Sequence, residues 1–142
     1  MNIYADSSFL VTSYIQDVHS AEAVRRLALL PSVWITPLNR SELAHAIHRY
    51  VFRGVISPAE ASRDWNSFQR DCLKAAFIAI DFPERTWETS IDLARNYGPA
   101  LGVRTLDSLH VACALELRAE KFWTFDDRQA KLAEAVGLDT GA

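Results

Sequence analysis

The stretch from Arg104 to Leu117 constrains the fold more than any other part of the chain. Leu106, Leu109, Cys113 and Leu117 fall on one side of a helix, and Val111, Ala112 and Leu115 widen that side until most of the circumference is apolar. A helix apolar nearly all round is a buried one. Yet Asp107 sits in its first turn. A few residues on, Phe122-Trp123-Thr124-Phe125 reads as a short buried strand that ends in Asp126. An acid in a helix's first turn complements the helix dipole by about 0.3–1 kcal/mol, which would account for Asp107 alone. It does not account for a core helix and a core strand that both deliver a carboxylate at the same end.

Taken in order, the rest of the chain alternates strands and helices. Asn2 to Ala5 reads as a strand closed by Asp6, with Ser7 or Ser8 capping a helix over Phe9 to Ile15. Ala23, Val24, Leu27 and Leu30 mark a second helix, stopped by Pro31. Val33 to Thr36 is the next strand, and Pro37 suits a helix start because its missing N–H costs nothing there. That helix carries Leu43, Ile47, Tyr50 and Val51 inward, with Glu42, His45 and Arg49 on a neighbouring face, and Gly54 closes it. Ser57-Pro58-Ala59-Glu60 is a capping box, opening a helix with Ala61, Trp65, Phe68 and Cys72 on one stripe. Phe77 to Ile80 is a third strand. Trp87, Ile91, Ala94 and Tyr97 mark the following helix, with Gly98-Pro99 as its stop. A last helix spans Arg128 to Ala135, with Asp127 as its cap. Strands of mostly apolar residues, each followed by a helix, predict an α/β domain: a central parallel sheet flanked by helices on both faces. One domain over residues 1–138 is expected, with 139–142 frayed.

In such sheets the ligand crevice lies beyond the carboxyl ends of the strands, where strand order reverses. Asp6 and Asp126 sit at strand ends, Glu42 in the first turns of the helix after the second strand, and Asp107 in the first turn of its helix. All four acids are therefore expected at one edge of the sheet. Gathered carboxylates repel, and burial raises their pKa values unless something neutralises them. A divalent cation does so directly, and Mg²⁺ and Mn²⁺ prefer oxygen ligands while keeping waters and phosphate oxygens in their shell. Hydrolysis of a phosphodiester fits these parts best.

Other chemistries lack their parts. There is no Gly-x-Gly-x-x-Gly and no phosphate loop, and no Gly-x-Ser-x-Gly elbow. The four histidines show no metal-ligand spacing, and His110 reads as a core or supporting histidine rather than a ligand. Cys72 and Cys113 fall in apolar helical patterns and read as reduced thiols. A receiver-type phosphoacceptor would need paired acids after the first strand, whereas Asp6 stands alone. No run approaches the roughly 18 apolar residues of a membrane span, and the first residues lack a signal-peptide pattern, so no membrane association and a cytoplasmic location are expected. The net charge of −3 does not exclude nucleic acid, because twelve of the fifteen basic residues are arginines that can cluster.

Four blocks taken together resemble a known family: Tyr4-Ala5-Asp6-Ser7-Ser8-Phe9-Leu10, Ser41-Glu42-Leu43, Arg104 to Ala112, and Phe125-Asp126-Asp127-Arg128. In order and spacing they are similar to the PIN-domain family and, more narrowly, to the toxins of VapBC-type toxin–antitoxin pairs. The resemblance implies a Mg²⁺- or Mn²⁺-dependent ribonuclease, generally a homodimer, silenced by a cognate antitoxin. It places the family's acidic quartet, catalytic and metal-binding, on Asp6, Glu42, Asp107 and Asp126. Ser7, Ser8 and Thr124 match its supporting polar residues. Of the Asp126-Asp127 pair, Asp126 is chosen because it follows the Thr-x of the strand. Arg49, Arg104 and Arg128 are the candidate contacts to RNA. The alternative function is a PIN-like module that grips RNA or a partner without cutting.

Overall fold

The structure, a computed structural model, describes residues 1–142. In chain order the elements are β1 (Asn2–Ala5), α1 (Ser7–Tyr14), α2 (Ser20–Leu27), β2 (Ser32–Ile35), α3 (Pro37–Phe52), α4 (Pro58–Leu73), β3 (Phe77–Ala79), α5 (Thr86–Leu101), α6 (Thr105–Glu116), β4 (Lys121–Trp123) and α7 (Asp127–Ala135). The four strands make one parallel sheet in the order β3-β2-β1-β4. Ile3 lies opposite Val33 on one side and Lys121 on the other. The chain lays β2 and then β3 outward from β1, then returns to add β4 on the opposite side. Strand order thus reverses between β1 and β4, and the crevice beyond their carboxyl ends is where an α/β sheet holds its ligands.

Side chains alternate across the strands and divide the core in two. Ile3 and Ala5 face a cluster with Phe9, Leu10, Leu43, Ile47 and Phe68, supplied by α1, α3 and α4. Tyr4 faces the other way, into Val111, Ala112, Phe122 and Leu132, supplied by α6, β4 and α7. The helices on both faces are those expected of the α/β reading. Along α6 every residue from Asp107 to Ala114 is buried. Full burial of side chains such as Val111 stabilises the fold by about 1.5–3 kcal/mol each, so this helix anchors its layer.

Several local expectations are corrected. Gly98-Pro99 does not stop α5, which runs on to Leu101 and closes at Gly102, whose φ of 63° is left-handed and whose N–H bonds the Gly98 carbonyl at 2.8 Å. Pro99 falls in the final turn, where the bond it forfeits is to the carbonyl of the exposed Arg95, which can turn to water. The buried face of α5 is Thr86, Ser90 and Leu93, while Trp87 is 57% and Ile91 51% exposed. Small side chains there let α5 lie close to α6, where Thr86 meets Cys113. Likewise α2 ends at Leu27, with Val24 and Leu30 exposed. β3 is an edge strand of which only Phe77 is buried, and β4 stops at Trp123, leaving Thr124 and Phe125 in the loop beyond it.

The final residues, expected to fray, are tied to β4. Phe122 N–H donates to the Asp139 carbonyl at 2.8 Å, Lys121 Nζ to Asp139 Oδ2 at 2.8 Å, and Trp123 Nε1 to the Gly141 carbonyl at 3.1 Å. The physical reason is the open edge of β4, whose unpaired backbone groups the tail satisfies. Both cysteines are free. No helix is long and apolar enough to cross a membrane.

Candidate active site

Asp6 follows β1 and is itself the N-cap of α1, in place of the serine expected there. Its Oδ1 accepts from the Phe9 N–H at 3.0 Å and from Ser8 Oγ at 2.7 Å. A carboxylate serves this position well, because it takes a donor the helix cannot satisfy internally. Asp6 N–H donates to the Trp123 carbonyl at 3.0 Å, which pins the end of β1 to the end of β4. The loop after β4 completes the join: Thr124 Oγ1 donates to Asp6 Oδ2, and Ser8 Oγ accepts from Phe125 N–H at 2.9 Å.

Thr124 Oγ1 also accepts from Asp126 N–H at 3.0 Å, so Asp126 is two bonds from Asp6. Asp126, not Asp127, caps α7, accepting from Gln129 N–H at 3.0 Å. Asp127 is the first helical residue and is exposed, whereas Asp126 is half-buried. Asp107 performs a similar service for α6: the Arg104 N–H donates to its Oδ2 at 3.0 Å, with Arg104 Nε at 3.5 Å. The helix-start role considered for Asp107 is therefore real.

Glu42 stands one turn into α3, whose start is fixed by Asn39. The Asn39 Oδ1 accepts from Thr36 N–H at 2.9 Å, and its Nδ2 donates to the Ala5 carbonyl at 2.7 Å, locking α3 to β1. Ser7 Oγ donates to Glu42 Oε1 at 2.8 Å. The same oxygen accepts from His110 Nε2. His110 Nδ1 meets Tyr4 Oη at 2.7 Å, and Tyr4 Oη lies 3.3 Å from Asn39 Oδ1. Because an ionised carboxylate can only accept, Nε2 carries a hydrogen. A buried chain Asn39–Tyr4–His110–Glu42–Ser7 thus crosses the site.

Burial raises the Asp6 carboxyl above its usual range, although the His110 charge and the Thr124, Ser8 and Phe9 bonds oppose it. Burial pushes Glu42 the same way, but His110 and Ser7 outweigh it and leave Glu42 below the usual range. The two carboxyls are thus displaced in opposite senses by their surroundings.

All four acids lie on elements that begin at the carboxyl edge of the sheet, and Ser7, Ser8 and Thr124 each touch one of them. The carboxylates do not converge: no three His, Cys, Asp or Glu side chains are gathered so as to hold one ion. Each is engaged by protein donors instead, Asp107 and Asp126 by nearby N–H groups, Glu42 and Asp6 also by residues distant in the chain. Even so, Glu42 Oε2, Asp107 Oδ1 and Asp126 Oδ2 have no protein partner, since the bonds to these residues fall on their other oxygens. Arg104 pairs with Asp107 at 3.5 Å with 67% of its side chain exposed, Arg128 is an exposed residue two positions after Asp126, and Arg49 lies on the outward face of α3.

Tyr4, Asn39 and the part played by His110 were not legible in the sequence. A periodic signal existed: Tyr4 is two residues before Asp6 on a strand, Asn39 three before Glu42 on a helix, and His110 three after Asp107. Each shares a face with a site acid.

The family model of the PIN domain matches residues 3–135. No curated protein matches the chain by sequence. Among solved structures, the chain is similar to VapC20 of Mycobacterium tuberculosis, a sarcin–ricin loop-cleaving toxin, with a TM-score of 0.71 at 16% identity over 96% of this chain and 95% of that one. It is also similar to VapBC2 from Rickettsia felis, solved with a DNA fragment from their promoter, with a TM-score of 0.67 at 14% identity over 99% and 98%. FitAcB from Neisseria gonorrhoeae gives a TM-score of 0.66 at 14% identity over 99% and 96%. At such identities the likeness is one of fold.

Proposed function

The chain belongs to the PIN-domain family, and on that footing we propose that it is a Mg²⁺- or Mn²⁺-dependent ribonuclease acting as the toxin of a toxin–antitoxin pair. The observation that carries the reading is the set of four carboxylates, Asp6, Glu42, Asp107 and Asp126, at the sheet edge beside the β1–β4 reversal, three of them with an oxygen the protein leaves unbonded. That all-oxygen donor set suits a hard divalent cation, and these four residues, though not gathered about one point here, would supply its ligands. When bound, such an ion supplies an activated water and stabilises charge on phosphoryl oxygens.

The chain's own residues do the positioning. Ser8 and Thr124 hold both oxygens of Asp6 and tether the Asp126 loop to it. Ser7 and His110 fix Glu42 Oε1, which leaves Oε2 directed by a restrained side chain. Arg104 and Arg128 are proposed to take RNA phosphates beside the acids. The domain proposed is residues 1–138, with 139–142 bound along its β4 edge.

The partners proposed are RNA, a cognate antitoxin and a second copy of the chain, in the cytoplasm. Antitoxin complexes among the structures of like fold support the second. The third is supported by an apolar hollow lined by Pro37, Leu38, Phe82, Trp87 and Leu109, beside the exposed Ile91 and Leu106. Exposed apolar groups so contiguous mark a contact surface.

A second reading is a module that binds RNA without cutting, favoured by carboxylates that are engaged by protein donors and not gathered about one point. Cleavage of single-stranded or looped RNA decides between them, since unstacked strands expose their backbone to a recessed site. The expected result is cutting with Mg²⁺ or Mn²⁺ and none with excess chelator. Undiminished cutting in chelator by highly purified protein rejects the metal-dependent reading, and binding without cutting in either metal selects the module.

A further inference from the structure

α3 presents a surface that the site does not use. Its inward residues Leu43, Ile47, Tyr50 and Val51 pack into the core. On the opposite side His45, His48, Arg49 and Phe52, with Ala44, line a shallow hollow of about 500 Å³. Phe52 is 90% exposed and belongs to neither core cluster. Arg49 and the following Arg53 enter no ion pair. The Nδ1 atoms of His45 and His48 donate to the Ser41 and Ala44 carbonyls of the helix itself, each at 2.8 Å, which turns each Nε2 outward and leaves it unbonded. No acid lies between Glu42 and Glu60, although the chain as a whole carries a net charge of −3.

We infer that this face of α3 is a track for single-stranded RNA leading to Glu42, with an unstacked base on the Phe52 ring and phosphates on Arg49 and Arg53. The inference rests on the ribonuclease reading for the direction of the track. At 1.5 Å of rise per residue, Arg49 stands about 10 Å and Phe52 about 15 Å along the helix from Glu42. Cations that follow a backbone, joined to an aromatic face for a base, are the parts from which single-strand sites are made. A duplex has no use for Phe52, because its base faces are stacked. A protein partner fits less well: interface centres are depleted of charge, and here one aromatic ring is surrounded by arginines and imidazoles.

The test is binding of a fluorescent single-stranded oligoribonucleotide, and of its duplex, in chelator, by wild type, Phe52→Ala and Arg49→Ala/Arg53→Ala. Phe52→Ala should weaken single-strand binding about tenfold with little effect on the duplex. The arginine pair should lower the slope of log affinity against log salt by about 1.4, at ~0.7 per phosphate lost. Phe52 is at the surface, so its replacement leaves folding intact. The track is overturned if wild type binds no single strand, if Phe52→Ala binds it normally, or if single strand and duplex weaken equally. It is also overturned if Phe52→Ala alters only the size of the assembly by light scattering, which would make the face a protein contact. Cleavage with Mg²⁺ is scored separately. A wild type that never cuts, with a Phe52-dependent grip on RNA, removes the nuclease and keeps the track. Cutting with normal binding by Phe52→Ala does the reverse.

Discussion

Glu42 and His110, separated by 68 positions in the chain, are joined by a hydrogen bond between Glu42 Oε1 and His110 Nε2. The ring is fully buried, and its other nitrogen meets Tyr4 Oη. The aim of Glu42 therefore depends on β1 and α6 together, not on α3 alone.

Tyr4→Phe should cost about 1–3 kcal/mol, since it removes the buried partner of His110 Nδ1 and of Asn39 at once. His110→Ala should cost more, adding a cavity. Because the two residues share one network, the double variant should fall short of the sum of the singles by at least about 0.5 kcal/mol in urea unfolding. Strictly additive losses would show that the Tyr4–His110 bond carries no coupling.

Asp6 and Glu42 should impose opposite pH dependences on the metal-free protein. The folded pKa of Asp6 is raised, so its ionised form destabilises the fold at neutral pH. Asp6→Asn should therefore melt higher at pH 7, and its advantage should fade as pH falls through the folded pKa of Asp6 toward the unfolded value near ~3.9. Glu42 is held below its usual range. It contributes stability above the unfolded value of about 4.3, lost as pH falls through its folded pKa. Glu42→Gln should melt lower at pH 7 and converge with wild type in acid. Melting curves of the three proteins from pH 7 to pH 3 check both signs.

Asp107→Asn separates the helix-start role of Asp107 from its proposed place at a metal. Asparagine can still accept from the Arg104 N–H, so the metal-free melt should move by no more than about 1 kcal/mol. Mg²⁺ should raise the melting temperature of wild type more than that of the variant, because binding to the folded state alone stabilises by mass action. RNA cleavage should fall by orders of magnitude. A variant that responds to Mg²⁺ like wild type and still cuts would leave Asp107 only its place at the start of α6.

Trp87→Ala combined with Ile91→Glu should produce monomers if the hollow between α3, α5 and α6 receives a second copy. Both residues are more than half exposed, so the fold should survive, with a melting temperature within a few degrees of wild type. Sedimentation of wild type and variant at equal concentration gives the answer, and identical masses would move the contact elsewhere.

Periodicity was a sound guide where burial was complete and a poor one where it was partial. α6 was readable because it is buried on nearly every side, so hydrophobicity alone defines it. On α5 the large residues Trp87 and Ile91 outweighed the small Thr86 and Ser90, and the small ones are the buried face. Gly98-Pro99 signals a stop only when the turn after it cannot close, and Gly102 closes it. The acids at the edge were legible because strand ends and helix starts leave marks in sequence. Their partners were not, because a tyrosine in a strand, an asparagine in a helix and a histidine among apolar neighbours each pass for ordinary core or cap residues. The cap of α1 is hidden for a related reason: Asp6 is followed by two serines, each an ordinary N-cap residue, and the acid at the strand end takes the cap itself.

The join between β1 and β4 sets the time at which the site can exist. Asp6 is held by Thr124, 118 positions further along the chain, and by the Trp123 carbonyl beside it. Contacts of such long sequence separation form late. Until β4 is made, a growing chain therefore carries Asp6 and Glu42 without the strand whose following loop ties Asp126 to Asp6. Any fragment released before β4 should fold at most into the α1–α4 layer. On the proposed function, cutting of RNA would then wait on the folding of β4.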